Sequence, residues 1–304
     1  MKSRWLLSLV LMLLGLSGVM TWHLRPEEML TSKGSTPIPS VSTAASQAIQ
    51  YELHSFTHTD IHALLIPKEK YQIQPGLLPS MGTVADLAQT DGAIAILNGG
   101  FFDPANGKTT SYVMVNGSVV ADPRDNERLM GNPDLQSYLG QILDRSEFRR
   151  YQCGERVEYA IARHSAPIPT NCQLVDALGA GPQLLPDLTL VEEGFLEERD
   201  GAIVRDALGA QQRNARSAIG IRRDGMVVWV MAAQRPDVSH SGVSLPELAD
   251  FLRGLGVETA LNLDGGSSAS FCYEGECFFG KVNQAGDRVE RPVKSVLKAM
   301  PLAE

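Results

Sequence analysis

Ala260-Leu-Asn-Leu-Asp-Gly-Gly-Ser-Ser-Ala-Ser270 runs an apolar strand into one carboxylate and a flexible polar turn. In a strand successive side chains alternate faces, so Asn262 and Asp264 project to one side while Leu261 and Leu263 face the other. Gly265 and Gly266 lack a Cβ, which lets backbone N–H groups approach a bound anion or sugar, and Ser267 completes the turn. A plain surface turn is the alternative, but it does not require Asn262 beside the aspartate.

Working outward, the arrangement recurs. Ala93-Ile-Ala-Ile-Leu97 has the length of a buried strand and ends in Asn98-Gly-Gly-Phe-Phe-Asp103. Gly99 and Gly100 open space in which the Asn98 amide, both donor and acceptor, can grip a sugar hydroxyl. Phe101 and Phe102 more often pack than stack on a sugar. A third segment, Arg213-Asn-Ala-Arg-Ser-Ala-Ile-Gly-Ile-Arg222, leads through Asp224-Gly225 into Met226-Val-Val-Trp-Val-Met231 and reads as a β-hairpin. Arg216 stands at its entry, and its planar fork suits a phosphate, although a solvated surface arginine fits the pattern too.

Together with Ala180-Gly-Pro-Gln-Leu-Leu185, Gly242-Val-Ser-Leu-Pro-Glu-Leu-Ala249 and Arg291-Pro-Val, these segments resemble, in their order, the phosphodiester glycosidase family over about residues 50–300. The family often carries three glycines after the aspartate, and Ser267 takes the third place here. The resemblance implies hydrolysis of the glycosidic bond in a sugar-1-phosphodiester or a related cell-envelope glycan. Phosphate leaves with little help from an acid, so one carboxylate can stabilise the oxocarbenium-like state or activate water. Asp264 is the candidate for that role and Asp103 the alternative carboxylate. Asn98, Gly99 and Asn262 would orient the sugar, Arg216 would bind phosphate, and Gly265, Gly266 and Ser267 would donate backbone hydrogen bonds. A non-catalytic glycan-binding or envelope-assembly protein on the same scaffold is the rival reading, because fold does not settle chemistry.

Composition narrows the field. The 304 residues are 43% hydrophobic and 20% charged, enough for an ordinary core, and a net charge of -8 argues against a general nucleic-acid binder. Lys2 and Arg4 precede an apolar run from Trp5 to Met20, so residues 1–22 read as a signal peptide or, uncleaved, as a membrane anchor, the one expected membrane contact. Residues 23–49, rich in Ser, Thr and Pro, read as a flexible linker, and residues 50–304 as the folded domain, placed outside the cytoplasm.

Four cysteines suit that compartment. Cys272 and Cys277 flank an expected hairpin turn that a disulfide can close, which leaves Cys153 to pair with Cys172; zinc is the competing reading, but neither pair has zinc-ligand spacing. No cofactor or metal is called for. His54, His58 and His62 recur every four residues, yet in a strand such side chains stand roughly 13 Å apart, too far for one ion. Ser239-His240-Ser241-Gly242 lacks the pattern of a hydrolase nucleophile turn.

Local signals complete the reading. Ser244-Leu-Pro-Glu247 has the capping-box pattern and starts a helix through Leu255, which makes Glu247 a capping residue. A shorter helix is expected over 83–90, a helix from Pro133 over a segment that runs to Arg150, and a hairpin at Asn116-Gly117, which also forms a glycosylation sequon with Ser118. The expected fold is a single α+β domain: a mixed, largely antiparallel sheet flanked by helices, with the strands ending at Asn98 and Asp264 at its centre.

Overall fold

Trp229, Met231, Ile219, Leu261 and Leu64 bury one face of a six-stranded sheet, while Val228, Val230, Ala218, Ala260 and Leu65 bury the other. That double burial explains why these strands are nearly continuous apolar runs rather than alternating ones. The computed structural model describes residues 48–302, so the expected export segment 1–22 and nearly all of the linker lie outside the described residues. The described residues belong to one compact unit, and Ile49 already packs into its core.

The six-stranded sheet runs in the order Gln50–Ser55, Thr59–Ile66, Val227–Gln234, Arg216–Arg222, Val257–Asn262, Gln183–Leu185. A five-stranded sheet sets Ala95–Asn98 at its middle, between Ser270–Tyr273 and Val293–Pro301. Another five-stranded sheet is built around Ser146–Cys153 and Gln173–Gly179. Every pairing among the described residues is antiparallel, so the mixed sheet expected from sequence is replaced by antiparallel sheets.

Helices contribute less than expected. Leu245–Gly254 spans ten residues, starts with the full Ser244/Glu247 capping box, and lays Leu248 and Leu252 on the sheet face that carries Val228 and Ala260. The other α-helices have four or five residues. The segment from Pro133 shows why: two turns of 3₁₀ helix and one of α-helix end at Ile142, and Ser146–Cys153 is a strand. Its apolar residues fit helical spacing only up to Ile142; beyond it Phe148 and Tyr151 are buried within the sheet.

The expected turns form. Asn116 (φ 49°) and Gly117 (φ 77°) join Val113–Val115 to Ser118–Ala121, and Gly225 (φ 84°) closes the hairpin of Arg216–Arg222 with Val227–Gln234. Cys153 is bonded to Cys172, and Cys272 to Cys277 across a strand pair. His62 bonds the Tyr51 hydroxyl at 2.8 Å and His54 pairs with Glu52 at 2.9 Å. Among the described residues no helix is long and apolar enough to cross a membrane.

Candidate active site

Two sheets meet at Asp264. The chain leaves the six-stranded sheet at Asn262, turns through Leu263–Ala269, and enters the five-stranded sheet at Ser270 beside Ala95–Asn98. Backbone bonds fasten this crossover to both layers: Leu263 N–H donates to Ser217 O (2.9 Å), Asp264 N–H to Gly99 O (3.0 Å) and Gly266 N–H to Ala215 O (2.7 Å).

Asn98 holds the seam shut. Its side chain is fully buried; Nδ2 donates to Asp264 O at 2.7 Å, while Oδ1 accepts from Ser217 Oγ at 2.7 Å and Ser270 N at 3.1 Å. With these partners in place its amide braces the two sheets, where the sequence reading set it against a sugar hydroxyl. Asn262 is also buried, donating from Nδ2 to Gly181 O at 2.8 Å, and its Oδ1 has no hydrogen-bond partner among the described residues. Gly99 and Gly100 serve packing: a Cβ on Gly99 would stand 2.5 Å from Ser295 Oγ, and one on Gly100 2.2 Å from Gly179 O.

The Asp264 turn itself differs from its expected form. Gly265 N–H donates to Asp264 Oδ1 at 2.9 Å and Gly266 N–H to Ala215, so both amides are occupied within the protein rather than offered to a ligand. Gly266 has φ +60°, which only glycine adopts without strain, and a Cβ on Gly265 would meet Ala215 O at 2.9 Å. These contacts give the two glycines a structural reason of their own.

Asp264 remains partly exposed, and burial of its carboxyl raises the pKa to about 6. The Ser268 hydroxyl, the Gly265 N–H and the charge of Arg291 pull in the opposite direction without overcoming it. Such a group exchanges a proton near neutral pH, as a general acid or base must.

Arg216 and Arg291 exchange expectations. The Arg216 side chain is buried: Nε donates to Val243 O (3.4 Å) and one terminal nitrogen to the carbonyls of Leu208, Gly209 and Gln212 (3.1, 2.9 and 3.1 Å). Burial lowers its pKa to about 10, and its fork organises the 208–212 loop. Arg291 instead reaches the turn, donating to Ser267 Oγ at 2.7 Å and lying 5.5 Å from the centre of the Phe102 ring. Lys281 approaches the same turn, donating to Asn214 Oδ1 at 3.1 Å; the Asn214 Nδ2 lies 3.6 Å from where a Gly266 Cβ would stand. The sequence did point to Arg291 through Arg291-Pro-Val, whereas Lys281 carries no signal there.

Asp103 is held elsewhere. Arg128 Nε donates to it at 2.7 Å and Ala105 N–H at 2.8 Å, and these bonds, against the opposing effect of desolvation, leave its pKa below the usual carboxylate value. Among the described residues no three His, Cys, Asp or Glu side chains gather into a metal-binding group.

Residues 91–299 match the phosphodiester glycosidase family. No curated protein sequence matches. Among solved structures, the catalytic domain of zebrafish N-acetylglucosamine-1-phosphodiester alpha-N-acetylglucosaminidase, auto-inhibited by its pro-peptide, superposes with a TM-score of 0.61 at 18% identity, covering 85% of each chain. A hypothetical protein from Synechocystis gives 0.54 at 17% identity, over 83% of this chain and 61% of that one. A putative exported protein from Burkholderia pseudomallei gives 0.53 at 16% identity, over 80% and 74%. At these identities the likeness is one of fold.

Proposed function

Because the chain belongs to the phosphodiester glycosidase family, we propose that it hydrolyses the glycosidic bond of a sugar-1-phosphodiester or a related cell-envelope glycan at the Asp264 turn. The observation that carries this reading is a carboxyl at the seam of two sheets, its pKa raised to about 6 by burial, in the field of the Arg291 guanidinium that reaches the same turn. In the proposed reaction Arg291 and Lys281 hold the phosphate, and Asp264, ionised, stabilises the positive charge that develops on the sugar ring. The bond between the anomeric carbon and the phosphate oxygen breaks, its electron pair leaves with phosphate, and water supplies the new oxygen. Asn98 acts one step back, fixing the backbone of Asp264. The two disulfides fit work outside the cytoplasm.

The test is release of reducing sugar by purified protein from a panel of sugar-1-phosphodiesters and envelope polysaccharides. Turnover that disappears in Asp264→Asn supports the reading. A protein that binds such glycans yet releases no sugar at any enzyme concentration is a binding module, and the reading is then wrong.

A further inference from the structure

We propose that Glu147 and His164 form the acid–base group of this reaction, beside the charge-stabilising Asp264, with His164 Nε2 taking the proton from the attacking water. The inference rests on the glycosidase reading of the Asp264 turn, and it starts from a buried constellation which that reading leaves unused.

Glu147 lies in the strand Ser146–Cys153 and its side chain is 2% exposed. One carboxylate oxygen accepts from Arg149 Nε at 2.6 Å, and the other meets His164 Nδ1 at 3.1 Å. The terminal nitrogens of Arg149 donate to the carbonyls of Arg163, His164 and Ala166 (2.9, 2.7 and 2.9 Å). The segment that carries the imidazole is thus fixed by the guanidinium that pairs with the carboxylate. Tyr112 stacks flat on the His164 ring, with 3.8 Å between centroids and 2° between planes.

A carboxylate paired with arginine can only accept, so Nδ1 is the nitrogen that carries the proton and Nε2 keeps its lone pair. Nε2 has no partner among the described residues, and the His164 side chain is 39% exposed. A pair that only braced the fold has no need of an oriented, accessible ring nitrogen. The titratable groups facing the imidazole are Glu147, Tyr112 and Asp122, with Arg124 over the outer side of Tyr112.

Backbone contacts connect this pair to Asp264. Gly179 lies opposite Glu147 in the strand register, Gly100 packs against Gly179 O, and Gly99 O accepts the Asp264 amide. Steps of that kind bound the separation of the two carboxylate-bearing backbones at about 15–20 Å. Glycoside hydrolysis needs two such groups about one sugar. Here the water oxygen bonds to the anomeric carbon, its proton passes to Nε2, the phosphate departs with the electron pair of the broken bond, and Asp264 stays ionised throughout.

The experiment is His164→Ala, read in kcat, KM and pH profile on the best phosphodiester found for the wild type. Expected are a kcat at least 100-fold lower with KM within about threefold, partial recovery with added imidazole, and a slope of log kcat against pH that falls from two toward one on the acid side as one of two ionisations disappears. Wild-type kcat in the variant overturns the proposal. So does a loss that imidazole leaves untouched with the acid-side slope unchanged, which marks a brace. If the wild type cleaves no phosphodiester, the glycosidase reading fails by itself. ¹⁵N NMR of the His164 ring then decides the dyad separately: a proton on Nδ1 supports the pair, and one on Nε2 at neutral pH overturns it.

Discussion

Asn98-Gly-Gly and Asp264-Gly-Gly follow core strands in the same way and meet across one seam, yet the fold uses them in opposite senses. Every polar atom of the Asn98 side chain faces protein, and its amide ties both sheets together. Asp264 has its backbone tied down equally well, but burial holds its carboxyl at an unfavourable pKa. A satisfied buried amide contributes stability, whereas a carboxyl held near neutral titration at a seam gives up stability for reactivity. On the proposed reading the pair separates holding the site from running it.

The largest effect should come from removing the reactive side of the pair. Asp264→Asn keeps the shape and much of the hydrogen bonding, and should lower kcat by about 10³-fold or more with the fold intact. Steady-state assay and circular dichroism on the same preparation check this. A folded variant with wild-type turnover would reduce Asp264 to a second Asn98.

Removing the bracing side should show the reverse pattern. Asn98→Ala strips partners from the Ser270 amide, the Ser217 hydroxyl and the Asp264 carbonyl, and should cost about 3 kcal/mol of stability. Urea unfolding measures it directly. A variant as stable as the wild type but unable to bind substrate would restore the direct sugar contact expected from sequence.

Much of this contrast was visible in the chain. The strands leading to Asn98 and Asp264, the capping box at Ser244, the hairpin turns at Asn116-Gly117 and Asp224-Gly225 and the Cys272–Cys277 disulfide follow from local patterns, because those signals act over a few residues, and the Cys153–Cys172 bond follows by elimination. The same segments show why the site did not. Asn98 and Arg216 look like ligands to substrate because amides and guanidinium forks are good ligands, but which partner each finds is set by chain segments over 100 residues away or by loop carbonyls without a sequence signature. Double coverage of the six-stranded sheet likewise depends on what packs above it, so its runs read equally as parallel strands. The helical pattern from Pro133 runs to Ile142 as its apolar spacing suggests, whereas the strand that buries Phe148 and Tyr151 carries no comparable local signal.

The two arginines extend the comparison to recognition. Arg291→Ala should reduce kcat/KM on a phosphodiester by about 30-fold, with a clearly smaller loss on a phosphate-free glycoside, since only the former loses a charge-assisted contact. Its melting temperature should stay close to the wild type's. Arg216→Ala should instead lower the melting temperature, because it leaves the carbonyls of Leu208, Gly209 and Gln212 without their donor. Equal losses of Arg291→Ala on both substrates would remove the phosphate role.

The smallest effect tests the claim that Asp264 gives up stability. Its carboxyl titrates near 6 in the folded protein and near 3.8 when unfolded, so the folded state binds the proton more tightly. A raised acid pKa contributes stability that is fully present below the unfolded value and is lost as pH rises through the folded one. Asp264→Asn cannot ionise and escapes that loss. The full shift corresponds to roughly 3 kcal/mol, and the residue's partial exposure together with the lost attraction between the carboxylate and Arg291 should reduce the observed gain to about 1–2 kcal/mol. The variant should therefore match the wild type in melting temperature near pH 4 and exceed it above pH 7, with the gap opening between. A gap of the same size at both ends would come from something other than the carboxyl's charge, and Asp264 would then be held as comfortably as Asn98.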